Sequence, residues 1–242
     1  MSHVRIGTSG WHYDDWRCSF YPPDAAPNDL LARYAERFAS VEVNNSFYRL
    51  PSAAAVRAWA HATPAAFRFA VKASRYTTHM KKLKDGRASS VKFFEAITPL
   101  REKIGPILFQ LPPNWRADRA RLEEFLDELP RRHRYVFEFR DPSWHIDPIF
   151  TLLCEHGAAF CLFDLGGEKS PVELTADFTY VRLHGPRAAC QGSYDGRTLS
   201  GWARRFRHWC GRGTDVWCFF DNDQKAAAPN DASRLKDMVE RD

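Results

Sequence analysis

Glu42, Lys72, Glu138 and His184 are the side chains of this protein best suited to move a proton or attack a carbonyl, and each stands at or near the end of a short apolar run. Glutamate and histidine can exchange a proton with a substrate, and lysine can hold an anion as a point charge or, once deprotonated, act as a nucleophile. Arg140 and Arg182 close runs of the same kind. Arginine grips phosphate or carboxylate through paired N–H bonds. Gln110, Asn44 and Asn222 add amides in equivalent places, Ser9 follows the first run, and Trp11 and Tyr48 supply ring faces just beyond run ends. The expectation is a site in which Glu138, Glu42, His184 and Lys72 are catalytic, with Glu138 the leading general acid/base. Arg140, Arg182, Gln110, Asn44, Asn222, Ser9, Trp11 and Tyr48 are then the substrate contacts. A buried ion-pair network is the competing expectation, with Glu42 and Glu138 neutralised by Lys72, Arg140 and Arg182. Such networks are often replaceable by apolar packing without loss of stability, so stability alone explains the clustering poorly.

Eight runs carry these residues, at positions 4–8, 40–44, 67–72, 106–110, 135–140, 159–164, 180–184 and 216–222, all rich in branched and aromatic side chains. Most gaps hold at least about ten residues with helical periodicity, the length a crossover between parallel strands requires. Helices are expected over 28–38, 52–63, 89–103, 118–129, 148–156, 199–209 and 225–239, with Asn28, Ser52 and Ser89 as caps. Residues 165–177 contain Gly166, Gly167 and Pro171 and are too broken for a regular helix. The pattern predicts an α/β protein, a single TIM-like (β/α)8 barrel over residues 1–242 with an irregular sixth crossover. A doubly wound open sheet is the alternative, but no Gly-x-Gly-x-x-Gly follows the first strand. Parallel strands all point the same way, so their polar ends converge on one mouth. Side chains two apart share a face. That pairs Glu42 with Asn44, Glu138 with Arg140 and Arg182 with His184 on the inner face, and sets Lys72 with Ala70, Gln110 with Leu108 and Asn222 with Phe220.

A net charge of +5 is compatible with an anionic ligand and far from requiring nucleic acid. The partner expected is a small anion, with nucleic acid allowed but not favoured; nothing in the composition names a cofactor, a metal or an oligomeric state. No stretch approaches the ~20 apolar residues of a membrane helix, and the opening Met1-Ser2-His3-Val4-Arg5-Ile6 lacks the apolar segment of a secretory signal, so a cytoplasmic location is expected. The six cysteines show no zinc-like spacing and fit small core residues of a reducing compartment. Lys72, Arg75, His79, Lys81, Lys82, Lys84 and Arg87 crowd the segment after the third run, which reads as a solvated loop or as a lid over an anion. Trp11, Tyr13, Trp16, Phe20 and Tyr21 crowd the segment after the first, as a packed plug or a wall on which a base or sugar ring stacks.

The chain resembles the YecE-like proteins that carry domain of unknown function 72. The likeness spans essentially its whole length, through Gly7-Thr8-Ser9-Gly10-Trp11, Phe20-Tyr21-Pro22, Val41-Glu42-Val43-Asn44 with Ser46-Phe47-Tyr48, and Phe69-Ala70-Val71-Lys72. It continues through Leu108-Phe109-Gln110-Leu111-Pro112-Pro113, Phe137-Glu138-Phe139-Arg140, Tyr180-Val181-Arg182-Leu183-His184-Gly185 and Phe219-Phe220-Asp221-Asn222-Asp223. The resemblance implies a TIM barrel and supplies no reaction. Cys18 stands where the family more usually has glycine, and Asp221 where it has asparagine.

Three functional classes follow from the residue types. The first is acid/base or hydrolytic chemistry on a phosphate- or carboxylate-bearing small molecule. The second adds a divalent metal on Glu42, Glu138, His184 and Asp164 or Asp221, giving a phosphodiesterase or abasic-DNA endonuclease-like activity. The inward cations would repel such an ion, and only one histidine ends a strand. The third is a non-catalytic module that binds an anion or nucleic acid. A Schiff base on Lys72 is a further enzymatic option, opposed by the two inward carboxylates because they favour the ammonium form.

Overall fold

The computed structural model describes residues 3–241, so the opening Met1 and Ser2 lie outside the described residues. The strands are β1 (Val4–Thr8), β2 (Ser40–Val43), β3 (Arg68–Lys72), β4 (Ile104–Gln110), β5 (Tyr135–Glu138), β6 (Ala159–Leu165), β7 (Glu168–Lys169), β8 (Phe178–Leu183) and β9 (Asp215–Phe220). The helices are α1 (Leu30–Ala35), α2 (Asn45–Tyr48), α3 (Ala53–His61), α4 (Gly86–Ile97), α5 (Arg119–Glu128), α6 (Asp147–Glu155), α7 (Gly196–Gly211) and α8 (Ala227–Glu240). Every ladder is parallel except that of the short β7, which folds back antiparallel onto β6. Between β6 and β8 the described residues hold this two-residue strand and no helix.

The parallel ladder runs β1-β9-β8-β6-β5-β4-β3-β2, and its two ends meet through one bridge, Ser9 with Glu42. A nearly closed α/β barrel of the TIM type results. Gly7 permits the close approach of β1 to β2, because a Cβ there would lie 2.2 Å from Ser40 O. Tyr34 of α1 spans the seam between them: its hydroxyl accepts from Thr8 N–H at 2.9 Å and donates to Ser40 O at 3.1 Å. The side-chain parity follows the two apolar clusters. Ala70, Leu108, Val136, Cys161, Tyr180 and Phe219 fill the barrel, while Val41, Phe137, Phe139, Val181, Leu183 and Phe220 pack outward beneath the helices.

Two helix starts differ from expectation. Asn28 sits inside a 3-10 turn, Pro27–Asp29, that leads into α1, so it does not cap the helix. Ser89 lies in the first turn of α4, which begins earlier, at Gly86, and its hydroxyl turns back to Gly86 O. Ser52 caps α3 by accepting from Ala55 N–H at 3.2 Å. The six cysteines are free. Among the described residues no helix is long and apolar enough to cross a membrane.

Candidate active site at the barrel mouth

Arg182 is the centre of the mouth and is 1% exposed. A guanidinium has five N–H donors, and here each has an acceptor. Nε and Nη2 grip Glu42 at 3.0 and 2.8 Å, and Nη2 also reaches Asp221 Oδ2 at 3.1 Å. Nη1 donates to Glu138 Oε2 at 2.9 Å and lies 3.3 Å from His184 Nε2. Glu42 is completed by Ser9 Oγ at 2.5 Å and Tyr180 OH at 2.7 Å, and Glu138 Oε1 is paired with Arg140 Nε. Both glutamates are fully buried. Burial alone would raise the Glu138 carboxyl, but Arg140 and Arg182 outweigh it and hold it well below the usual carboxylate range. Glu138 is therefore a fixed anion: Oε2 accepts from Arg182, and Oε1, which makes no hydrogen bond among the described residues, is held by the Arg140 charge. Glu42 and Ser9 are engaged in the same way, and Arg182 has no donor left for a ligand.

The remaining polar groups sit around this floor. His184 Nδ1 lies 2.9 Å from Asp221 Oδ2, while Nε2 faces Arg140 Nη2 at 2.9 Å as well as Arg182. Two guanidinium donors on Nε2 require that nitrogen to accept, which assigns the proton to Nδ1. Arg140 stacks over the Phe163 ring at 4.9 Å, and its Nη1 carries no hydrogen bond among the described residues. Lys72 Nζ lies 4.4 Å over the Phe47 ring, with no carboxylate at ion-pair distance among the described residues. Burial lowers the Lys72 amine first and the Arg182 charge adds to it; the carboxylates offset this only in part, because they already belong to Arg182. Gln110, in register with Glu138, is half-buried at the end of β4.

Alternation fails at two predicted contacts. Asn222 does not face the mouth: its Nδ2 donates to Gly192 O at 2.7 Å and to Asp231 Oδ2 at 3.0 Å, beneath α8. The inward residues of β9 are Trp217 and Phe219, so the next inward position is Asp221. Residues 216–220 are uniformly apolar, and nothing in their pattern distinguishes the two faces. Asn44 does not continue the inner face of β2, because its backbone turns helical after Val43 to start α2.

Asp223 is the residue the sequence pattern passed over. Its buried Oδ1 has no hydrogen-bond partner, and its carboxyl is pushed up to about 7, by burial first and by Asp221 second. Cys190, Asp221 and Asp223 bring ligand atoms within 4.8 Å of one another. Asp221 Oδ2 already holds Arg182 and His184, which makes it a poor ligand for a further cation. The metal set expected from sequence does not assemble either. Glu42 and Glu138 face a guanidinium, and Asp164 follows the outward parity of β6, where Leu162 joins the outer core.

A cleft of about 490 Å³ adjoins the mouth, lined by Trp11, Tyr13, Asn44 and Trp59 among others. Trp11 meets Trp59 edge-on at 5.4 Å, Tyr13 OH donates to Ser9 O at 2.6 Å, and Asn44 Oδ1 is buried without a partner. The aromatics after β1 thus divide: Trp16, Phe20 and Tyr21 are the buried plug, while Trp11 and Tyr13 face the cleft. Tyr48 is 75% exposed and lies outside the cleft lining. Among the basic residues after β3, the backbone forms a π-helical turn, Tyr76–Met80, that buries Thr77 and Thr78 and sets His79 edge-on to Phe47.

With this geometry in place, comparison with known proteins decides the family. A family model described as "Protein of unknown function DUF72" matches residues 5–242. The chain belongs to the YecE-like DUF72 family. Its DUF72 relatives include UPF0759 protein YunF of Bacillus subtilis (strain 168), 24% identical over 276 residues that cover 98% of this chain and 95% of YunF. UPF0759 protein YecE of Escherichia coli (strain K12) is 32% identical over 143 residues, which cover 58% of this chain and 50% of YecE. The crystal structure of a DUF72 family protein from Thermotoga maritima is similar with a TM-score of 0.87 and 28% identity, covering 99% of this chain and 100% of that one.

Proposed function

We propose that this DUF72 barrel is an enzyme performing acid/base chemistry on a phosphate- or carboxylate-bearing small molecule at the carboxyl ends of its strands. The observation that carries the reading is the pair of cationic donors left over once the buried network is satisfied, Lys72 Nζ and Arg140 Nη1. Glu42, Glu138, Arg182 and His184 form the rigid floor, holding Arg140 through its Nε and Nη2 so that the free edge of the guanidinium meets the ligand already oriented. Asp223 is the proton carrier in this scheme, because a carboxyl that titrates near 7 can give or take a proton at neutral pH. Trp11 and Tyr13 line the cleft at the ends of β1 and β2, which favours a substrate whose anion is attached to a sugar or base.

Titration with inorganic phosphate, followed by a screen of phosphorylated and carboxylated small molecules, tests the reading. Mouth binding is expected to disappear in the Lys72→Gln/Arg140→Gln variant, and turnover is expected to show a limb near pH 7 that Asp223→Asn removes. Phosphate affinity unchanged in the double variant, or an unchanged pH profile in Asp223→Asn, would sink it.

The lowered Lys72 amine supports a second reading, in which it adds to a substrate carbonyl and water leaves to form an imine. Borohydride trapping of a carbonyl substrate on Lys72, absent in Lys72→Gln, would favour this route; no trapping across a panel of aldehydes and ketones would remove it.

A further inference from the structure

The opposite end of the barrel holds a second concentration of positive charge that the mouth does not use. Parallel strands bring their amino ends together as surely as their carboxyl ends, and there the starts of β1, β3, β4, β5 and β9 surround a cavity of about 270 Å³. Arg5, Arg68, Arg132 and Arg134 line it, together with His3 and His133. Asp215 is the one carboxylate in that lining, and it is already engaged: Oδ2 takes Arg134 Nη1 at 2.6 Å and Oδ1 takes the His3 backbone N–H at 2.9 Å. Arg5, Arg68 and Arg132 have no carboxylate at ion-pair distance among the described residues. Arg5 lies over the Trp217 indole at 4.9 Å, and Arg68 Nη1 bonds only the carbonyls of Ala65 and Phe67.

Trp217 closes the barrel floor above them. It is 4% exposed, packs against Gly105 where a Cβ would come within 3.2 Å of the ring, and its indole N–H has no acceptor. Burial lowers the Arg5 guanidinium, the charges of Arg68 and Arg134 add to it, and Asp215, already engaged by Arg134, offsets them in part.

We propose that this cavity is a second anion site, independent of the mouth, that takes a compact phosphate-bearing small molecule. Arginine forks match phosphate oxygens, and several of them around one concavity concentrate the field that draws such an anion in. The volume lies just under the ~300 Å³ lower bound of ordinary ligand pockets, which suits a diphosphate group and leaves no room for a nucleoside besides. A nucleic-acid backbone would call instead for an open basic track along the surface.

Calorimetric titration of the whole protein with inorganic diphosphate at low salt tests the proposal against the mouth site. Wild type and the Lys72→Gln/Arg140→Gln mouth variant should both retain the floor event. The Arg5→Gln/Arg68→Gln variant should weaken that event by about tenfold or more, because charge-assisted bonds are lost. Its melting temperature without diphosphate should stay close to that of wild type, since relief of repulsion offsets the lost Arg68 bonds to Ala65 O and Phe67 O. Should the double variant fail to fold, Arg132→Gln, an exposed position, carries the same comparison. Diphosphate binding unchanged in the floor variants, or abolished by the mouth variant alone, overturns the proposal while leaving the reading of the mouth intact.

Discussion

Replacing Arg182 with methionine separates a scaffold from a ligand contact. The substitution keeps a long side chain but removes every donor, leaving Glu42 with only Ser9 and Tyr180 and leaving Glu138 with Arg140 and the weak Cys161 thiol contact at 3.8 Å. Breaking a buried pair by deleting one partner costs about 3–5 kcal/mol. In a chain of 242 residues, where each kcal/mol moves the melting temperature by ~2–4 °C, that is a fall of about 6–20 °C. The pH dependence has a definite sign. In wild type the depressed Glu138 contributes stability that is present above its unfolded value near 4.5 and lost as pH falls towards its folded value. In Arg182→Met one of the two cations that depress Glu138 is gone, so the deficit relative to wild type is largest near neutral pH and shrinks as pH falls from 7 to ~4. Thermal melts by circular dichroism across that range check both effects. A loss below ~1 kcal/mol, typical of an exposed pair, or a deficit that does not change with pH, would refute the picture of Arg182 as a desolvated, fully engaged keystone.

Other perturbations test separate parts of the structure. Tyr34→Phe leaves Thr8 N–H and Ser40 O without their shared partner at the β1–β2 seam and should cost about 1–3 kcal/mol, read from denaturant melts. Asp223 has a folded value of about 7 against an ordinary 3.8, so its contribution to stability is full below about 4 and is lost as pH rises to 7; Asp223→Asn should flatten that part of the stability curve. Asn222→Ala should destabilise by ~1–3 kcal/mol, because the buried Asp231 loses a donor, yet leave phosphate affinity at the mouth unchanged. A drop in mouth affinity in that variant would return Asn222 to the inner face.

The alternation of polar and apolar residues, together with the gaps between runs, was enough to predict the barrel from sequence, and parallel direction alone brought Glu42, Glu138, Arg140, Arg182 and His184 to one end. Those inferences hold because strand parity is local: it depends on the pleat, and at residues 135–140 and 180–184 the two faces differ in polarity. Where they do not differ, as in the uniformly apolar β9, sequence cannot choose between Asp221 and Asn222, and the ladder with β8 and β1 decides. Where a strand stops early, as β2 does at Val43, parity ceases to apply to Asn44. Tertiary structure alone decided which charges are occupied. Arg140 and Arg182 are the same residue type at the same kind of strand end, yet Arg182 meets three carboxylates and a histidine while Arg140 keeps one nitrogen free. The raised Asp223 carboxyl likewise arises from burial beside Asp221, a property of three-dimensional surroundings that no residue spacing encodes.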